Sequence, residues 1–207
     1  MRRSNWIFGL VLVPAALQAQ VGNHPGLLDP NLADPAELRS LPHVSEALAD
    51  AIVKARPFLT AADLDAVLSR SLSKDQREEL YGRLFRQINL NTASDDEIML
   101  IPGMSGRMVH EFKEYRPYTG LEQFRREIGK YVDDAEVARL EQYVFVPMDL
   151  NSASSADFMT IPGMTSRMVH EFEEYRPYTG MEQFRREIGK YVDDDEVARL
   201  ESYVMIK

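Results

Sequence analysis

The strongest constraint on this chain is its own repetition. Residues 90 to 147 align with residues 150 to 207 without a gap at an offset of sixty, and 43 of the 58 pairs are identical. The block from Met168 to Gly180 repeats Met108 to Gly120 with one change, Lys113 to Glu173. The offset also reaches, more faintly, into the first third. Asn31, Glu37, Pro42, Arg56, Pro57 and Leu80 stand sixty residues before Asn91, Glu97, Pro102, Arg116, Pro117 and Leu140. A fixed period of this length signals one supersecondary unit made several times. Three units follow, 28–87, 88–147 and 148–207.

Within each unit the local signals are helical. Ser94 with Glu97 forms a capping box that opens a short helix through Leu100, and Ile101-Pro102-Gly103 stops it. Met108, Val109, Phe112 and Tyr115 recur at three- and four-residue spacing along a second helix that Pro117 ends. Thr119 with Glu122 predicts the cap of a third helix carrying Leu121, Phe124 and Ile128. Asp133 with Glu136 predicts the cap of a fourth, carrying Val137, Leu140 and Val144. No stretch alternates with strand periodicity for long, so the expected class is all-α, with four short helices per unit joined by tight loops.

The first nineteen residues read differently. Arg2 and Arg3 precede an apolar run from Trp6 to Leu17, and Ala15, Ala16 and Ala19 lead into Gln20. This is the pattern of a secretory signal peptide with a cut after Ala19, too short to span a bilayer comfortably. Export to the periplasm is the expected location. The chain has no cysteine, so disulfides, thiolate nucleophiles and iron–sulfur clusters are excluded. Its formal net charge of −9 argues against a wholly basic surface, so any contact with a polyanion has to be local.

Three groups of residues carry the functional resemblance: Ile88-Asn89-Leu90-Asn91-Thr92-Ala93, then Ile101-Pro102-Gly103-Met104, then Tyr115-Arg116 ahead of a phenylalanine-bearing helix. Together they resemble the helix-hairpin-helix family, in particular the tandem-hairpin domain of ComEA-type competence DNA receptors. The similarity covers units two and three, and unit one in outline. It implies three tandem helix-hairpin-helix domains that grip the phosphate backbone of duplex DNA without reading bases. Backbone N–H groups of a glycine-containing hairpin at a helix start point at a phosphate, and the helix dipole favours it. The matching residues are Gly103, Met104, Ser105, Gly106 and Arg107, with Gly163, Met164, Thr165, Ser166 and Arg167 as their copies. The resemblance also allows a monovalent cation held by hairpin carbonyls. No other cofactor is implied.

The chain departs from the family pattern in several places. The family's second hairpin glycine is replaced by Ser105 and Thr165, and unit one reads Leu41-Pro42-His43-Val44-Ser45, with no glycine. The second hairpin of each repeat ends in carboxylates, Asp133-Asp134 and Asp193-Asp194-Asp195. Net charge falls from −2 to −4 to −5 along the three units. The alternative reading is therefore an acidic scaffold that binds a basic protein partner.

Other candidates have plainer readings. Arg125, Arg126 and Lys130, copied as Arg185, Arg186 and Lys190, read as a helix face paired with Glu122 and Glu127. His110, Glu111 and Glu114, copied as His170, Glu171 and Glu174, resemble half of a zinc-protease helix without the second histidine. Tyr115, Tyr118, Tyr131, Tyr143, Phe112 and Phe124 read as core more than as base-stacking platforms. With no P-loop, nucleophile elbow or dinucleotide fingerprint, the expectation is a non-catalytic protein without a small-molecule substrate.

Overall fold

The computed structural model describes residues 20–22 and 24–207, so the expected signal peptide lies outside the described residues. The described chain is mostly helical. Its first part holds α1 (Pro35–Arg39), α2 (Glu46–Lys54), α3 (Ala61–Leu68) and α4 (Lys74–Tyr81). Strand β1 (Ile88–Asn89) precedes α5 (Asp95–Ile98), α6 (Gly106–Glu114), α7 (Leu121–Ile128) and α8 (Asp134–Glu141), and β2 (Val144–Phe145) follows. Strand β3 (Met148–Asp149), α9 (Ser155–Phe158), α10 (Ser166–Glu174), α11 (Met181–Ile188), α12 (Asp194–Glu201) and β4 (Val204–Met205) complete it.

Four two-residue strands accompany the helices among the described residues. β1 pairs in parallel with β2, and β3 with β4, each over two residues, while Leu28 and Leu84 form the corresponding single bridge. These ladders tie the start of each set of four helices to its end. Two residues are too few to show a period of two, which is why the sequence pattern does not reveal them.

Capping chemistry sets the helix starts. Asp34, Ser94 and Ser154 close capping boxes with Glu37, Glu97 and Asp157. The helix opened by Ser94 ends at Ile98, two residues before the expected Leu100. Asp133 caps α8 by accepting from the Glu136 amide. The α7 expectation is corrected: its N-cap is Gly120 with no side-chain cap, and Thr119 instead bonds Gln123 through its amide (3.0 Å) and hydroxyl (3.2 Å). Glutamine four residues on competes successfully with Glu122 for the same donors.

The asparagine and arginine shared by all three repeats at an offset of sixty turn out to be struts. The Asn91 side chain brackets the Tyr118 peptide, donating to its carbonyl at 2.9 Å and accepting from its amide at 2.6 Å. The Arg116 guanidinium donates to Leu90 O (2.6 Å) and Ala93 O (2.7 Å), pinning the lead-in loop against the end of α6. Asn31 with Arg56 and Asn151 with Arg176 make the same contacts in the flanking units. In all three places a cis Arg–Pro bond follows the clamp.

The apolar core does not divide in three. One buried cluster runs without a break from Leu27 to Val146, and a second holds Met148 to Val204 together with Val21 and Phe145. Phe85 and Tyr143 meet edge to face at 5.0 Å inside the first cluster and so join the first two sets of helices. Val21, 3% exposed, bridges Phe145 and carries the segment before α1 into the second cluster. Gln87 fastens this segment by donating to Gly22 O (3.0 Å) and Gln142 O (2.8 Å).

Candidate nucleic-acid interface

Each hairpin needs one residue in the left-handed region to reverse the chain between short helices. Gly103 has φ 73° and Gly163 φ 74°, which glycine adopts without cost. In the first unit His43 takes the same conformation at φ 65°, so the turn survives the loss of its glycine. Its ring meets Glu79 at 2.7 Å, so a carboxylate stands beside this turn. The second turn of each repeat is built otherwise: Gly129 and Gly189 are right-handed helix caps, followed by Asp133 and Asp193 as N-caps.

Beyond the left-handed glycine, Ser105 and Thr165 cap α6 and α10, accepting from the amides of Met108 (3.3 Å) and Met168 (3.2 Å). The amides of Gly106 and Arg107, and of Ser166 and Arg167, lie in the first turn, where no helical carbonyl can reach them. Gly103, Ser105, Gly106 and Arg107 are exposed, as are Gly163, Thr165, Ser166 and Arg167, while Met104 and Met164 are half-buried against the core. The structure thus gathers all ten expected residues at two exposed helix starts. These N–H groups and the positive helix end can receive one anion each.

The surrounding cations divide sharply. Arg125 makes a two-pronged contact with Glu141 (2.6 and 2.7 Å), not with Glu122 as expected, and Arg126 and Lys130 both meet Glu127. Their copies pair likewise with Glu201 and Glu187. Arg139 holds Glu136 and also donates to Pro102 O at 2.8 Å, and Arg199 does the same with Glu196 and Pro162 O. A guanidinium therefore already occupies one of the hairpin carbonyls that the resemblance offers to a monovalent cation. Arg107 and Arg167 alone among the arginines of residues 88–207 meet neither carboxylate nor carbonyl among the described residues. Their guanidiniums lie 5.8 Å from the ring centres of Tyr131 and Tyr191.

Helical spacing assigns Tyr131 to the core, but it is half-buried, with Arg107 near its ring. Tyr131 sits sixteen residues from Tyr115, and their hydroxyls bond at 2.7 Å, with Lys130 Nζ 4.9 Å from the Tyr115 ring centre. Tyr175, Tyr191 and Lys190 repeat the group. Hydrogen bonding with Tyr115 first, then with the accepting Glu111 carboxylate, pushes the Tyr131 hydroxyl up, so it stays neutral and acts as a fixed support for Arg107. The other aromatics are core: Phe112, Phe124, Tyr118 and Tyr143 are buried, with Phe112 and Phe124 edge to face at 5.2 Å.

The two hairpins differ in their neighbours. A side-chain methyl of Leu32 would lie 2.9 Å from a Cβ at Gly163, so the first unit leans on the third unit's turn. The Gly103 turn instead borders a pocket of about 170 Å3 shared with Arg77 and Tyr81. His110 and His170 lie 3.9 and 3.4 Å from Glu114 and Glu174, and no cluster of three acidic or histidine side chains gathers among the described residues.

No protein-family model matches the chain, and no solved structure matches it. The chain is 25% identical over 124 residues to "Endonuclease/exonuclease/phosphatase family domain-containing protein 1" of Xenopus laevis, a match covering 45% of this chain and 22% of that relative.

Proposed function

We propose that this is an exported, non-catalytic protein of three tandem helix-hairpin-helix units that binds duplex DNA independently of sequence. The carrying observation is the pairing pattern: Arg107 and Arg167 are left without an anion at the two helix starts whose first-turn amides are also open. A phosphate at each would receive amide hydrogen bonds and a charge-assisted arginine contact. Among the described residues no helix is long and apolar enough to cross a membrane, and a periplasmic location rests on the pattern of residues 1–19 alone.

The test is fluorescence anisotropy of a labelled duplex titrated with the protein. Arg107→Ala with Arg167→Ala should weaken binding about tenfold or more, by loss of two charge-assisted contacts, whereas Arg126→Ala with Arg186→Ala should not. Equal effects of the two pairs would refute the assignment. A scaffold for a basic partner is the second reading, supported by the exposed carboxylates of Asp133, Asp134, Asp193, Asp194 and Asp195 at the starts of α8 and α12.

A further inference from the structure

The first unit holds an open groove of about 390 Å3 between α2 and α3. The repeat explains why it is open. At an offset of sixty, the groove's Ala51, Ala55, Val67 and Ser71 stand where the second unit has Glu111, Tyr115, Glu127 and Tyr131. In that unit the two tyrosines bond each other through their hydroxyls, and Lys130 caps the Tyr115 ring while pairing with Glu127. The third unit is filled in the same way by Tyr175, Tyr191, Glu187 and Lys190. The first unit has lost both rings and both carboxylates, yet it keeps the cation: Arg70 replaces Lys130. It has gained another, because Lys54 replaces Glu114.

Lys54 and Arg70 are exposed on the groove's rim and meet no carboxylate among the described residues, and no acid lines the groove. The slot has thus changed sign from one net negative charge, over positions 107, 111, 114, 127 and 130, to two positive charges in the first unit. What is missing defines what fits: an aromatic ring for the apolar floor, with a carboxylate beside it for the two cations.

We propose that this groove is a binding site for an acidic, tyrosine-bearing segment of a partner protein, which supplies in trans the ring and carboxylate that the sister units supply in cis. The ring would lie on Ala51, Ala55 and Val67 under the Arg70 guanidinium, as Tyr115 lies under Lys130. A neighbouring Asp or Glu would meet Lys54. The site is separate from the Gly103 and Gly163 hairpins, so it stands or falls independently of DNA binding.

The experiment is nitrogen-15 NMR of the full chain titrated with acetyl-Glu-Tyr-Glu-amide. Saturable shifts centred on Ala51, Ala55, Val67 and Arg70 are expected, and the same peptide with alanine for tyrosine, or lysine for both glutamates, should bind about tenfold more weakly or not at all, for want of the ring or of the charges. Ala55→Tyr with Ser71→Tyr installs the side chains that the sister units already tolerate, and it should abolish the shifts while the helical circular dichroism is kept. Lys54→Glu with Arg70→Glu should do the same. Shifts that are absent at millimolar peptide, that persist in the filled variant, or that arise at this groove with duplex DNA instead of the peptide would overturn the proposal.

Discussion

The guanidinium of Arg86 lies 4.5 Å over the Tyr203 ring centre and donates to the Tyr203 hydroxyl at 2.6 Å, joining residues 117 positions apart. Arg86 is fully buried, and its remaining donors reach Phe58 O, Gln87 O and Ser202 Oγ. One side chain thereby ties the end of the first unit to the last turn of the third. Replacing it with alanine strands several buried acceptors at once. Arg86→Ala should cost about 3 kcal/mol. It should also split one unfolding transition into two, as followed by circular dichroism in urea, since the second apolar cluster would then be held to the first by fewer contacts. A single transition at the wild-type midpoint would show that the clamp is dispensable.

The segment before α1 makes a second joint. Gly22 donates to Val144 O at 3.1 Å, and a Cβ placed on it would lie 1.7 Å from Glu141 O, a collision with backbone that no rotamer change relieves. Gly22→Ala should therefore lower stability by about 2 kcal/mol, the usual size of an overpacking penalty. Gly106→Ala is the control. Nothing lies within 4 Å of its Cβ, and alanine is the better helix former, so its midpoint should hold or rise.

Turn conformation gives a third expectation. Gly103 at φ 73° has room for a Cβ, the nearest atom being Arg139 Nη2 at 3.7 Å, so the penalty for alanine there is conformational rather than steric crowding. Gly103→Ala should cost about 1 kcal/mol by thermal melting. His43→Gly should be near neutral, because removing a left-handed histidine offsets the looser unfolded chain and the lost Glu79 contact.

Much of this fold is readable from residues whose effects are local. Ser94 with Glu97, and Asp133 before α8, mark their own helix starts because a cap is a contact over three residues. The hairpin glycines are equally local. The two-residue ladders are too short to register as a pattern, and the Thr119 cap fails because Gln123 offers a better-placed acceptor. The joints are invisible for another reason. Arg86, Gly22 and Leu32 act on residues more than a hundred positions away, and nothing beside them in the chain encodes that partner. The same holds for the candidate site. Its ten backbone and side-chain positions follow from the motif, but the fact that every other arginine nearby is occupied emerges only in three dimensions.

Acid sensitivity follows from the repeated glutamates. Hydrogen bonds from Lys130 and Arg126 hold Glu127 below the usual carboxylate range, and Lys190 and Arg186 do the same for Glu187. A carboxylate with a depressed folded pKa contributes stability that is fully present above its unfolded value, about 4.3, and is lost as pH falls through the folded value. Melting temperature should accordingly be flat near neutrality and fall below about pH 4. Glu127→Gln with Glu187→Gln should shallow that fall, and an unchanged acid limb would show that other carboxylates dominate it.

In the proposed mode of binding, two anion sites, each a helix start with its free arginine, hold phosphates of duplex DNA. The salt dependence of DNA affinity measures this most directly. Logarithmic affinity plotted against logarithmic salt should fall with a slope of about −2 for two neutralised phosphates, and the slope should halve when either Arg107 or Arg167 becomes alanine. Failure to bind at low salt, or a slope indifferent to both substitutions, would contradict the account.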